Sequence, residues 1–204
     1  MPTPVTLVRF NVQNAKYATQ SSGTYGSPVS FGTSKKIALE RDADEKKIYG
    51  DGYVIVTIPN DRGKTGTLTV NNVPDAYEVA MGRKLALGAG YADIKQRLVA
   101  EHAIYFETCG AADNGSLPVA KTWLFGVTSK APSENFDQNT DDINETSFDI
   151  PLTIKGTHVK NAAGTADAVD ANGNAIIAYS MTLYPGDTGY DNFGNSVPTP
   201  KTST

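Results

Sequence analysis

Residues 50–71, GDGYVIVTIPNDRGKTGTLTVN, constrain the fold more than any other stretch, because they set two runs of strand-forming residues around a short polar loop. Neither run carries a charge between Gly52 and Ile58 or between Thr65 and Asn71. A sheet with one face on a core and one in water alternates apolar with polar side chains. Here the outward positions hold threonine and valine instead. Side chains alternate along a strand, so Thr65, Thr67 and Thr69 share one face while Leu68 and Val70 point into a core. The run Tyr53 to Ile58 is apolar on both faces. Pairing the two runs as a hairpin sets the threonine row beside Tyr53, Ile55 and Thr57 or beside Val54, Val56 and Ile58. The resulting uncharged face needs a cover: a second sheet of the same chain, or a neighbouring subunit, since charge depletion with retained apolar area marks an interface core.

Period-two patterning recurs elsewhere. In 119–128 it groups Val119, Trp123, Phe125 and Val127, and in 146–154 Phe148, Ile150, Leu152 and Ile154. The stretches 101–108 and 175–184 read the same way, the latter grouping Ile177, Tyr179, Met181 and Leu183. Pro151 has no N–H for a ladder, so its strand lies at an edge or bulges there. Helical spacing occurs in 74–87, where Pro74 and Asp75 suit a first turn and Tyr77, Met81 and Leu85 share a face, with Gly82 marking an early end. A second short helix is predicted over 91–98 from Ile94 and Leu98. The expected class is mainly β (α+β): a β-sandwich with a flanking α-helix and long loops at 110–118, 129–145 and 156–174. One domain spans 1–184, and 185–204, rich in Pro, Gly, Ser and Thr around Tyr190 and Phe193, reads as an extended C-terminal arm.

With 204 residues the chain can bury a full core, and its 20% charged residues suit a globular protein. A net charge of −4 with scattered Lys and Arg excludes tight wrapping of nucleic acid. The single cysteine, Cys109, cannot form an internal disulfide and is expected to be a buried small residue. The N-terminus lacks the features of a signal peptide and no stretch reaches membrane-spanning length, so a soluble protein made in a cytoplasm is expected.

Chemistry-bearing residues are sparse. His102 and His158 stand far apart, His102 on a strand face with Ile104 and Phe106 and His158 at the start of a loop, so no enzyme activity is expected. The string DRGKTG at 61–66 has Ile58 where a phosphate-binding loop needs its first glycine. DANGN at 170–174 spaces Asp170, Asn172 and Asn174 as calcium loops do, but Ala175 and Met181 occupy the positions of the turn glycine and the bidentate glutamate. No metal and no cofactor is expected.

The order of features resembles a known family. NVQNAKYAT, GTYGSPVSF, KKIALERDADEKKIYGDG, TGTLTVNNVPDAYEVAMG, EHAIYFETCG, KTWLFGVTSKAPSENF, ETSFDIPLTIKG and a closing GYDNF follow one another as in the major tail proteins, or tail tube proteins, of long-tailed bacteriophages with non-contractile tails. Two departures stand out: 88–101 is longer than the link such proteins use, and Phe193 stands where tryptophan is frequent.

The resemblance implies a virion protein, made in the bacterial host cytoplasm, whose copies form hexameric rings stacked into the conduit for genome ejection. Its implied partners are further copies, the tape measure, tail terminator and distal tail proteins, and double-stranded DNA in transit without tight binding. Asn60, Asp61, Arg62 and Lys64 match the loop tip that reaches the next ring, with Thr65, Thr67 and Thr69 on the wall. Asp137, Asp141 and Asp142 in the acidic 129–145 loop are the expected partners of the cationic tip. The competing reading is a β-sandwich receptor- or carbohydrate-binding module of a virion using Tyr25, Tyr190 and Phe193, and a weaker one is an enzyme working through the acidic loop.

Overall fold

The computed structural model describes residues 7–96, 99–112, 117–133 and 146–203. The chain is mainly β, with antiparallel strands and one short helix. In order it forms β1 (Leu7–Ser21), β2 (Thr24–Tyr25), β3 (Val29–Ser30), β4 (Ser34–Gly50), β5 (Tyr53–Val70), α1 (Asp75–Ala80), β6 (Lys84–Leu87), β7 (Gly90–Asp93), β8 (His102–Ala112), β9 (Val119–Ser129), β10 (Phe148–Ile154), β11 (Thr157–His158), β12 (Ile177–Ala178) and β13 (Ser180–Leu183). The main sheet runs β2-β1-β8-β9-β10-β5-β4, with β3 on β1 and β13 on β9. Because β3 pairs with β1 and leads directly into β4, the last strand is drawn back towards the first and the sheet folds over on itself.

The fold-over encloses the main core. Leu68 and Val70 of β5, Ile150, Leu152 and Ile154 of β10, and Ile104 and Phe106 of β8 all point inward, as period two predicts. Tyr17, Phe31 and Tyr77 meet there with ring centroids 4.7–5.0 Å apart in tilted and edge-on pairs. Pro151 sits opposite Thr67, just beyond the end of the β9–β10 ladder, where no N–H is required of it.

β9 departs from the single buried face expected of it. Trp123 and Phe125 face a second core on the outside of the sheet, while Leu124 and Val127 face the main core. The alternation shifts at Gly126, whose φ of +58° and lack of a Cβ let the Gly156 backbone approach; a Cβ there would lie 2.2 Å from the Gly156 oxygen. At this point β9 changes partner, from β13 over 121–124 to β10 over 127–129. The second core is closed by residues 185–203, the described part of the segment expected to be an extended arm. They run as turns over 186–196, bury Phe193, and are tied down by Trp123 Nε1 donating to the Phe193 carbonyl at 2.7 Å.

The helix is shorter than its spacing suggests. α1 ends at Ala80 before Gly82 (φ +70°), and Leu85 belongs to β6. The helix predicted over 91–98 is absent where the chain is described: Gly90–Asp93 is β7, hairpinned to β6 through Gly88–Ala89, and the glycines in and just after that turn outweigh the Ile94 spacing. The stretch 175–184 is likewise two strands, with Ile177 exposed on β12 and Met181 and Leu183 packed on the second core.

Candidate functional site

The two apolar runs are not two arms of one hairpin. Tyr53–Val70 is a single strand, and its hairpin partner is β4. The connection is Asp51–Gly52, with φ of +50° and +83°, the pair of positive values that a two-residue turn matching strand twist requires. Asn60, Asp61, Arg62 and Lys64, expected at a loop tip, therefore lie within β5, at the root of the projection.

That root is built with care. Arg41 pairs with Lys64 and Ala43 with Asp61, so Arg62 and Gly63 together oppose Asp42 in a bulge, which adds bend and twist. Arg62 Nη2 bonds Asp42 across it at 2.9 Å, and Asp61 pairs with Arg41, whose hydrogen bond holds the Asp61 carboxyl below the usual range. Lys64 Nζ reaches Ser180 Oγ at 3.4 Å. Arg62 and Lys64 are thus engaged within the chain.

Below the root, Thr65, Thr67 and Thr69 do share the outer face of β5. Their cross-strand neighbours are Glu40, Ala38 and Lys36 of β4 and Thr153, Pro151 and Asp149 of β10, not the Tyr53–Ile58 run. Thr69 Oγ1 donates to Asp149 at 2.6 Å. The threonine face is therefore rimmed by charge. Asp137, Asp141 and Asp142 lie outside the described residues, as does most of the acidic loop.

Above the root, β5 pairs only with β4 among the described residues, because β10 ends opposite Lys64. The two strands run on for nine to ten residues each, about 30 Å at roughly 3.3 Å per residue. Tyr49, Tyr53 and Ile55 are 66%, 78% and 66% exposed, and Ile48, Val54, Val56 and Ile58 are exposed beside them. Apolar side chains thus stand on both faces of a ribbon that the described residues leave uncovered.

The histidines and the two loop motifs noted in the sequence sit in local hydrogen-bonded settings. Under α1, Arg83 makes two 2.7 Å bonds to Glu78 and bonds Ser129, and the Tyr77 hydroxyl donates to Ser129 Oγ at 2.8 Å and lies 3.2 Å from His102 Nε2. Burial pushes Tyr77 up to about 12 and His102 down to about 4, so His102 is a neutral, hydrogen-bonded core residue. This network pins α1 and β6 to the sheet. His158 is exposed and 2.6 Å from Asp167, whose carboxyl also accepts from Lys160 and is held below its usual range mainly by that bond. Asp170 Oδ1 accepts from the backbone N–H groups of Asn172 and Asn174 within its own turn and Oδ2 from the Asn174 side chain, and DRGKTG is strand rather than the entry to a helix. No group of three metal-ligating side chains occurs among the described residues. Cys109 is half-buried.

The aromatics of the binding-module reading are occupied. Phe193 is buried, the Tyr25 hydroxyl accepts from Gly126 N, and Tyr190 donates to the Val119 carbonyl and covers Lys121 at 4.2 Å. Sequence reasoning used Ile48–Gly52 only as part of the family resemblance and did not read Asp51–Gly52 as the hairpin turn, although Asp-Gly between alternating segments is the strongest short hairpin signal. Compared with known proteins, the chain matches no protein-family model and no curated protein.

Proposed function

We propose that the chain is a structural virion protein, a tail tube subunit whose copies join as stacked hexameric rings to form a conduit for DNA, and that the β4–β5 ribbon is the element that joins them. The observation that carries this reading is the ribbon above the root. A lone two-stranded hairpin is marginal in water, and one that exposes Tyr49, Tyr53, Ile55 and four further large apolar side chains calls for cover from outside the chain. Its backbone supports the same reading, since among the described residues the β5 edge over 53–63 has no strand beside it other than β4, and it offers N–H and C=O groups to a strand of a neighbouring copy. The net charge of −4 suits a wall along which DNA slides without sticking.

The test is electron microscopy with sedimentation over a range of concentration and salt. Rings or tubes are expected, and they should vanish when Tyr53 and Ile55 are both changed to Lys while the single chain keeps its fold. A protein that stays monomeric throughout and also fails to join tails in an infected lysate would overturn the reading. The receptor- or carbohydrate-binding alternative loses support, because Tyr25, Tyr190 and Phe193 present no open stacking platform.

A further inference from the structure

A second apolar projection stands on the β6–β7 hairpin. Leu85 and Leu87 are 51% and 53% exposed on one face of that ribbon, with Tyr91 on the other and Ile94 and Val99 exposed just beyond it. None of these side chains belongs to either core. The hairpin itself is held firmly: Arg83, at its base, is in the buried network with Glu78 and Ser129, Lys84 bonds Asp75 at 2.8 Å, and Ile94 N donates to the Arg83 carbonyl. A rigid mount carrying uncovered leucines has the form of a contact surface rather than of a loose loop.

Its place in the topology says what it contacts. β5 begins at the tip of the long ribbon and ends at Val70, five residues before α1, which leads straight into β6. The β6–β7 hairpin also adjoins Ala131 and Pro132, beyond the end of β9 that carries β10. The two apolar projections therefore lie at opposite ends of the same strand. Copies that stack head to tail need two different, matching surfaces at opposite ends, because a heterologous contact repeats without using itself up.

We infer that the β6–β7 hairpin is the seat for the β4–β5 tip of a second copy. This rests on the proposed assembly and names its counter-surface. Area favours the match: a stable contact takes about 800 Å² from each partner. Tyr49 and Tyr53, with aromatic side chains of roughly 150–250 Å² each, and the five exposed aliphatic residues beside them supply most of that on the tip. Leu85, Leu87, Tyr91, Ile94 and Val99 supply the apolar centre of the seat.

The experiment uses two full-length variants, a blocked seat (Leu85→Lys with Leu87→Lys) and a blocked tip (Tyr53→Lys with Ile55→Lys), each checked for native melting. Neither should elongate alone. Mixed one to one, the free tip of the first should enter the free seat of the second, giving particles of twice the separate mass and none longer. Should the lysines disturb the small hairpin, Leu85→Ser with Leu87→Ser gives the same readout. If the blocked-seat variant elongates like the native protein, the seat is elsewhere while the assembly reading stands. If both variants stop elongation but the mixture forms no doubled particle, the two surfaces are not partners. If the native protein never elongates, assembly and seat fall together.

Discussion

The two halves of β5 both carry apolar residues and have opposite fates. Over residues 64–70 the strand lies between β4 and β10, and Leu68 and Val70 are fully buried. Over residues 53–62 it has β4 alone, and Tyr53, Ile55 and Ile58 meet water. A strand's apolar residues become a core only where other elements cover them, so the upper half adds little to the fold of the single chain and, in the proposed assembly, is the area that a neighbouring copy would cover.

The largest effects should fall in the body. Arg83→Met would leave Glu78 charged and buried without its partner, and a loss of about 3–5 kcal/mol is expected in urea unfolding; a loss below about 1 kcal/mol would mean that this pair does not hold α1 to the sheet. Leu68→Ala should cost about 2–5 kcal/mol, a cavity penalty in a packed site. The same denaturation series applied to Ile55→Ala should move the monomer by no more than about 0.5 kcal/mol. Equal costs at the two positions would break the contrast between the halves of β5.

His102 gives the body a pH dependence of its own. Its folded pKa, lowered by burial to about 4 from 6.5, disfavours protonation in the native state. Its contribution is therefore intact above pH 6.5 and is lost as pH falls towards 4, on the order of 3 kcal/mol in all. His102→Gln should flatten that part of the stability curve, read from melting temperatures between pH 7 and pH 4. A curve of unchanged slope would show that His102 is not the titrating group. The smallest effect is expected at the root: Arg62→Gln removes an exposed pair with Asp42 and should change stability by about 0–1 kcal/mol in the same denaturation assay.

Much of the body was legible because its strands alternate cleanly, as Ile150, Leu152 and Ile154 do. The helix start at Pro74–Asp75 and its end before Gly82 were legible for the same local reasons. The tip was not. Asn60, Asp61, Arg62 and Gly63 look like a loop, and the chain uses them in a bulge within a strand, where a free outer edge also tolerates Pro59. The true turn, Asp51–Gly52, carried the stronger signal in only two residues. The shift of facing at Gly126 was hidden because β9 is apolar on both sides of it, and its outer face is buried by a segment some 70 residues later in sequence. Of the candidate site, the uncharged Tyr53–Ile58 run was visible from composition, but its exposure depended on where β10 stops.

Hydrogen exchange of the backbone amides over 53–62 tests the central claim most directly, measured in dilute protein and again at concentrations where particles sediment. In the single chain the amides on the β5 edge that faces away from β4 should exchange quickly. In the assembled protein they should gain protection, while amides of 64–70 remain protected in both. Assembly with no change in exchange over 53–62 would contradict the account, because copies would then be joining through some other surface.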